Sequence, residues 1–182
     1  MAPVVALSGF MGSGKTTVGR LAAAALGWTF VDLDDEIERR ERCSIGEIFA
    51  RGGEAAFRHV ELDALRGVLA RQGADDGTVL GLGGGTLTQA EARALLATRS
   101  TTVFLAVSPE VAWERVRGSG RPLAVSWEAF SALFVLRAGA YQESADLVID
   151  TEALTPAEVA DRVVRSVDPS VVRSVDSSVT PS

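Results

Sequence analysis

Asparagine is absent from this chain, and cysteine, histidine and lysine each occur once. Each shortage excludes something. With Cys43 alone no internal disulfide can form, which fits a reducing compartment. One cysteine and one histidine, His59, cannot assemble a structural zinc site. No stretch reaches the roughly eighteen uninterrupted apolar residues of a membrane helix. Residues 3–7 run straight into Ser8-Gly9 with no basic flank or small-residue cleavage site, so no signal peptide is expected, and a cytoplasmic location is. The formal net charge is −6 and the basic residues form no run, so a nucleic-acid partner has no electrostatic footprint. Any anionic ligand must be held by a few placed cations. All of these are arginines except Lys15. A lysine kept in a chain that otherwise avoids it points to a task for a compact point charge rather than a planar fork.

What is present reads as one domain. The 182 residues, 47% of them apolar, suffice for a single core. Short apolar runs at residues 4–7, 29–31, 78–82, 102–105 and 147–149 read as strands. Helical patterns lie between them, at 16–26, 34–42, 45–50, 54–71, 88–96, after Ser108-Pro109-Glu110, at 126–143, and after Thr155-Pro156. Strands alternating with helices predict a three-layer α/β/α fold around a five-stranded parallel sheet, with ligands at the carboxyl ends of the strands. Residues 118–125 hold two glycines and a proline and read as a mobile loop. VVRSVDPS at 163–170 is followed by VVRSVDSS at 171–178, a short duplication. The domain is therefore expected over 1–167, with a disordered tail over 168–182.

Gly9-Phe10-Met11-Gly12-Ser13-Gly14-Lys15-Thr16 matches G-x-x-x-x-G-K-[ST], after a strand and before a helix. Backbone N–H groups of such a loop, with the helix N-terminus behind them, cradle phosphates. Lys15 is expected on the terminal phosphates and Thr16 on Mg²⁺. A guanine-reading Asn-Lys-x-Asp segment is impossible without asparagine, which leaves a small-molecule kinase. Asp32 and Asp34 close the second strand and turn the same way. Either they divide labour, one on Mg²⁺ and one on the attacking hydroxyl, or they are helix N-terminal acids facing the macrodipole. Gly83-Gly84-Gly85 allows close backbone approach to a ligand, or is a flexible turn. Arg58, Arg121 and Arg137 suit carboxylates or phosphates, but each alone reads more readily as a solvated surface residue.

Residues 9–20, GFMGSGKTTVGR, resemble the P-loop of the shikimate kinase family beyond the generic motif. Asp32-x-Asp34, the segment Ile45-x-x-Ile48-Phe49 to Gly53-Glu54-x-x-Phe57-Arg58-x-x-Glu61, Gly83-Gly84-Gly85, Arg121-Pro122-Leu123 and Arg137-x-x-x-Tyr141 follow in the family's order. The resemblance covers about residues 4–159. It implies transfer of the γ-phosphoryl of ATP to a hydroxyl of shikimate, in aromatic amino acid biosynthesis, by a monomer that uses Mg²⁺. It implies Lys15, Asp34 and Arg121 as catalytic residues, with Gly12, Ser13, Gly14, Thr16, Thr17 and Arg117 also around ATP and Arg117 lying along the adenine. It implies Thr16 and Asp32 at the metal, Asp34 and Gly84 at the substrate hydroxyls, Arg58 and Arg137 on its carboxylate, and a lid over about 117–125. The chain departs from the pattern at Arg42, at Ala124, in a short lid, and at Ala138-Gly139-Ala140 before Tyr141. A kinase for another polyol or cyclitol acid, gluconate-type for example, and a non-catalytic nucleotide-binding protein stay open.

Overall fold

The β-branched and leucine-rich run Val4–Ser8 forms β1, the central strand, with Val5, Ala6 and Leu7 entirely buried. The computed structural model describes residues 3–70, 77–117 and 126–167. β2 (Thr29–Asp32), β3 (Thr78–Gly81), β4 (Thr101–Ala106) and β5 (Leu147–Asp150) join β1 in one sheet of order β2-β3-β1-β4-β5. Every pairing is parallel, as the alternation of elements predicts. The proposed loop 118–125 and the tail from residue 168 lie outside the described residues.

Seven α-helices cover the two faces among the described residues. α1 (Lys15–Leu26) and α7 (Pro156–Val167) pack on one face, where Val5, Leu7 and Val103 point. On the other face, where Ala6, Leu80 and Phe104 point, lie α2 (Leu33–Glu41), α3 (Ile45–Leu69), α4 (Ala90–Arg99), α5 (Pro109–Val116) and α6 (Trp127–Glu143). The chain leaves β1 toward one face and the neighbouring β3 toward the other, so a crevice opens at their carboxyl ends. The glycine loop follows β1, the triglycine follows β3, and Asp32 ends β2, so all three meet there.

Local chemistry accounts for the boundaries. Gly27 closes α1 in the left-handed conformation that glycine adopts without strain. Ser108 caps α5 with Pro109 at its first position, as expected. Ser44 and Glu47 form a reciprocal capping box at the start of α3. The two helices expected at 45–50 and 54–71 are one element kinked at Gly53, whose φ of 67° and ψ of −166° interrupt the ladder. The helix expected over 88–96 starts later, at Ala90, after a 3₁₀ turn at Thr86–Thr88. The threonine hydroxyls explain the delay: Thr86 donates to Glu61 at 2.7 Å and Thr88 to the Gly85 carbonyl at 2.7 Å, which holds that segment in a turn.

Candidate active site

The loop between β1 and α1 is a tight cradle. Gly12 has φ of 85°, and a side-chain carbon there would lie 2.8 Å from the Ala112 carbonyl oxygen of α5. Only glycine satisfies both the backbone angle and that approach. The Lys15 ammonium donates back over the loop to the carbonyls of Gly9 at 2.8 Å and Phe10 at 3.1 Å. Thr16 donates to one carboxylate oxygen of Asp32 at 3.0 Å, while the other accepts the Asp34 N–H at 3.1 Å. Asp32 is thus both the N-cap of α2, as the helix-terminus reading expected, and the partner of Thr16. Thr17 opens onto the cleft, whereas Ser13 is buried beneath the loop.

Asp34 stands where these groups meet. Burial, and then the nearby carboxylates of Asp32 and Glu61, push its pKa up from 3.8 to about 6, with Lys15 pulling it partly back. A carboxyl held near neutrality can exchange a proton at working pH, which a carboxylate at its ordinary value does poorly.

The triglycine is gripped from two helices. A side-chain carbon on Gly85 would lie 2.3 Å from an Arg58 guanidinium nitrogen, and one on Gly84 3.1 Å from an Arg137 nitrogen. Both arginines therefore converge on one stretch of backbone, although 79 residues separate them in sequence (137 − 58). Their states differ. Arg58 is paired with Glu61 at 2.6 Å and Glu54 at 3.2 Å. Its burial works against the charge, but those two carboxylates outweigh it and push the pKa up. Glu61 is 1% exposed and also accepts from Thr86 and Gln89. Among the described residues Arg137 has no carboxylate partner; its guanidinium stands by the Tyr141 hydroxyl, whose pKa it pulls down.

A cleft of about 950 Å³ joins these parts. Gly12, Gly14, Lys15, Thr16 and Thr17 line one side, and Asp32, Asp34, Gly84 and Arg137 another. Arg58 sits just behind the wall, over Gly85. Arg121 lies outside the described residues. Arg117, expected along the nucleotide, stands just past the end of α5 and pairs with Glu114 at 2.8 Å; among the described residues it is not part of the cleft wall. Arg115, two residues earlier, does line it, donating to the Gly12 carbonyl at 3.2 Å and to Thr151 across the β5–α7 connection. Ile45 and Phe49 add an apolar wall to which the sequence reading gave no task. Phe49 is 40% exposed and stacks on Phe57 at 4.7 Å.

Known proteins carry the same arrangement. The family model described as shikimate kinase matches residues 11–168. A shikimate kinase of Geobacter sulfurreducens is 41% identical over 167 residues, covering 90% of each chain. One of Mycobacterium tuberculosis is 40% identical over 168 residues, covering 90% of this chain and 93% of the relative. The solved shikimate kinase of Acinetobacter baumannii, in complex with shikimate, superposes with a TM-score of 0.83 at 33% identity and covers 96% of both chains. A match that runs through the cradle, the triglycine and both arginines over nearly the whole domain leaves one placement: the chain belongs to the shikimate kinase family.

Proposed function

We propose that this protein phosphorylates a hydroxyl of shikimate with ATP as donor, in aromatic amino acid biosynthesis. The observation that carries the reading is the meeting, in one cleft, of a phosphate cradle, a carboxyl at Asp34 with its pKa raised to about 6, and a guanidinium at Arg137 that has no carboxylate partner among the described residues. That set describes a donor triphosphate on one side and a hydroxylated acid on the other. Nucleotide phosphates lie against the N–H groups of Gly12 to Thr17, where Lys15 leaves its carbonyl partners to balance charge on the transferring group. Asp34 orients the acceptor hydroxyl and takes its proton. Arg137, with Arg58 behind it, holds the carboxylate, and Gly84 brings backbone against the hydroxyls. On the nucleotide side this reading favours Arg115, which lines the cleft and reaches the Gly12 carbonyl, over Arg117.

The donor set suits Mg²⁺. Thr16 and Asp32 offer hard oxygen ligands side by side, and among the described residues no cluster of three or more acidic, histidine or cysteine side chains could cage a metal. An ion held by one or two protein oxygens together with phosphates is the usual magnesium pattern. Thr16 and Asp32 would hold it, and it would supply charge neutralisation on the phosphates. The same reading takes the enzyme as a cytoplasmic monomer; among the described residues no helix is long and apolar enough to cross a membrane. The test is ADP release, coupled to NADH oxidation, with shikimate, gluconate and nucleoside monophosphates in turn. Turnover with shikimate alone supports the assignment, and turnover with another acceptor in its place refutes it.

A further inference from the structure

Tyr141 has no part in the reading so far, yet its hydroxyl is the shared partner of two residues that do. The side chain is 2% exposed, its ring stacked on Phe104 with centroids 5.5 Å apart. The hydroxyl donates to the Gly84 carbonyl at 2.5 Å, and the Arg137 guanidinium lies close by, on the same side of Gly84. The single phenol proton is committed to Gly84, so toward Arg137, which only donates, the Tyr141 oxygen can offer only its lone pairs. Burial, offset in part by Arg137 and Arg58, raises the Tyr141 pKa to about 12, so the donating proton stays in place at any working pH.

Resting on the proposed function, we infer that Tyr141 is a positioning residue that sets the carboxylate-binding Arg137 in register with the hydroxyl-contacting Gly84. One contact faces the carboxylate of the acid and the other a hydroxyl on the same side of it, so their spacing acts as a gauge for the acceptor. On the Arg58 side two glutamates do the equivalent work. On the Arg137 side, among the described residues, the phenol is the anchor. The backbone leaves it little slack. A side-chain carbon on Gly84 would lie 3.1 Å from Arg137 and 3.8 Å from the Tyr141 oxygen, so the three groups are already in contact.

The test is Tyr141→Phe, which keeps the ring on Phe104 and removes one oxygen. A loosened charge-assisted contact should lower kcat/KM for the acid roughly five- to twentyfold through KM, with KM for ATP within about twofold. Phe104→Leu is the control for mere packing: it should lower Tm and leave the two KM values in their original ratio. The decisive measurement is Tyr141→Phe in an Arg137→Ala background, followed as kcat/KM at low acid. If Tyr141 works through Arg137, the second change adds little to the first. Multiplicative losses, or an unchanged KM for the acid in Tyr141→Phe, overturn the inference while the function stands. A wild-type enzyme that does not turn over shikimate overturns the function itself.

Discussion

Asp34→Asn exposes a conflict between stability and activity at the centre of the site. The wild-type carboxyl has a folded pKa of about 6 against an ordinary value of 3.8. The native state therefore binds this proton more tightly than the unfolded chain does, and stability falls as pH rises through that window. The cost is absent below about 4 and complete above about 6. Two pK units correspond to about 3 kcal/mol as an upper bound. Solvent at the partly exposed carboxylate screens some of it, leaving about 1–2 kcal/mol. For a domain of this size that is roughly 2–8 °C in Tm. Asparagine has the same shape without the charge. Asp34→Asn should therefore melt higher than wild type at pH 8, by that amount, with the gap shrinking to about a third by pH 4.5, while phosphoryl transfer is lost. Differential scanning fluorimetry of both proteins across pH 4.5–8.5, without ligands, reads the gap directly. A gap independent of pH, or a variant that melts lower at pH 8, would refute the idea that Asp34 is a strained charge. Wild-type kcat/KM should in parallel decline on the acid side of about pH 6, as the proposed proton acceptor fills.

Lys15→Met should cut turnover by at least about a hundredfold in a protein that still folds; normal turnover by the folded variant refutes the cradle mechanism. Arg137→Ala should raise KM for the acid roughly ten- to a hundredfold and leave Tm nearly unchanged. Arg58→Ala should raise that KM less and cost about 1–3 kcal/mol of stability, because Glu61 is left buried with only its neutral partners; steady-state kinetics and thermal melts on both variants decide between this asymmetry and equal roles. Arg115→Ala should raise KM for ATP several-fold while Arg117→Ala does not, and the reverse pattern would return Arg117 to the nucleotide.

The layered fold was legible because its signals are local. β1 reads as a two-sided buried run, the glycine loop as punctuation with Lys15 inside it, and Ser108-Pro109 as a helix start. What the sequence could not separate were residues whose tasks depend on rotation about a helix axis. Arg115 lies in the last turn of α5 and Arg117 just past its end, and only the packing of Ala112 and Val116 into the core turns Arg115 to the cleft. The difference between Arg58 and Arg137 was equally hidden. It depends on Glu54 and Glu61 standing one turn either side of Arg58, and on Tyr141 standing one turn beyond Arg137. Thr86 and Thr88 moved a helix start because their hydroxyls found partners, one of them 25 residues away in sequence.

The break at Gly53 gives α3 two halves of unequal anchorage. Beyond it, Phe57, Glu61, Leu62, Ala64, Leu65, Val68 and Leu69 are buried; before it, only Ile48 is. Local opening follows buried contact, so the first half samples open states at lower free energy than the second. Arg58 and Glu61 ride on the steady half, whereas Ile45 and Phe49 ride on the loose one. The charge-bearing grip can therefore stay fixed while the apolar wall breathes. Entry and exit of the acceptor acid then require only a few turns of helix to move, with no disturbance to the ion pairs that hold Arg58.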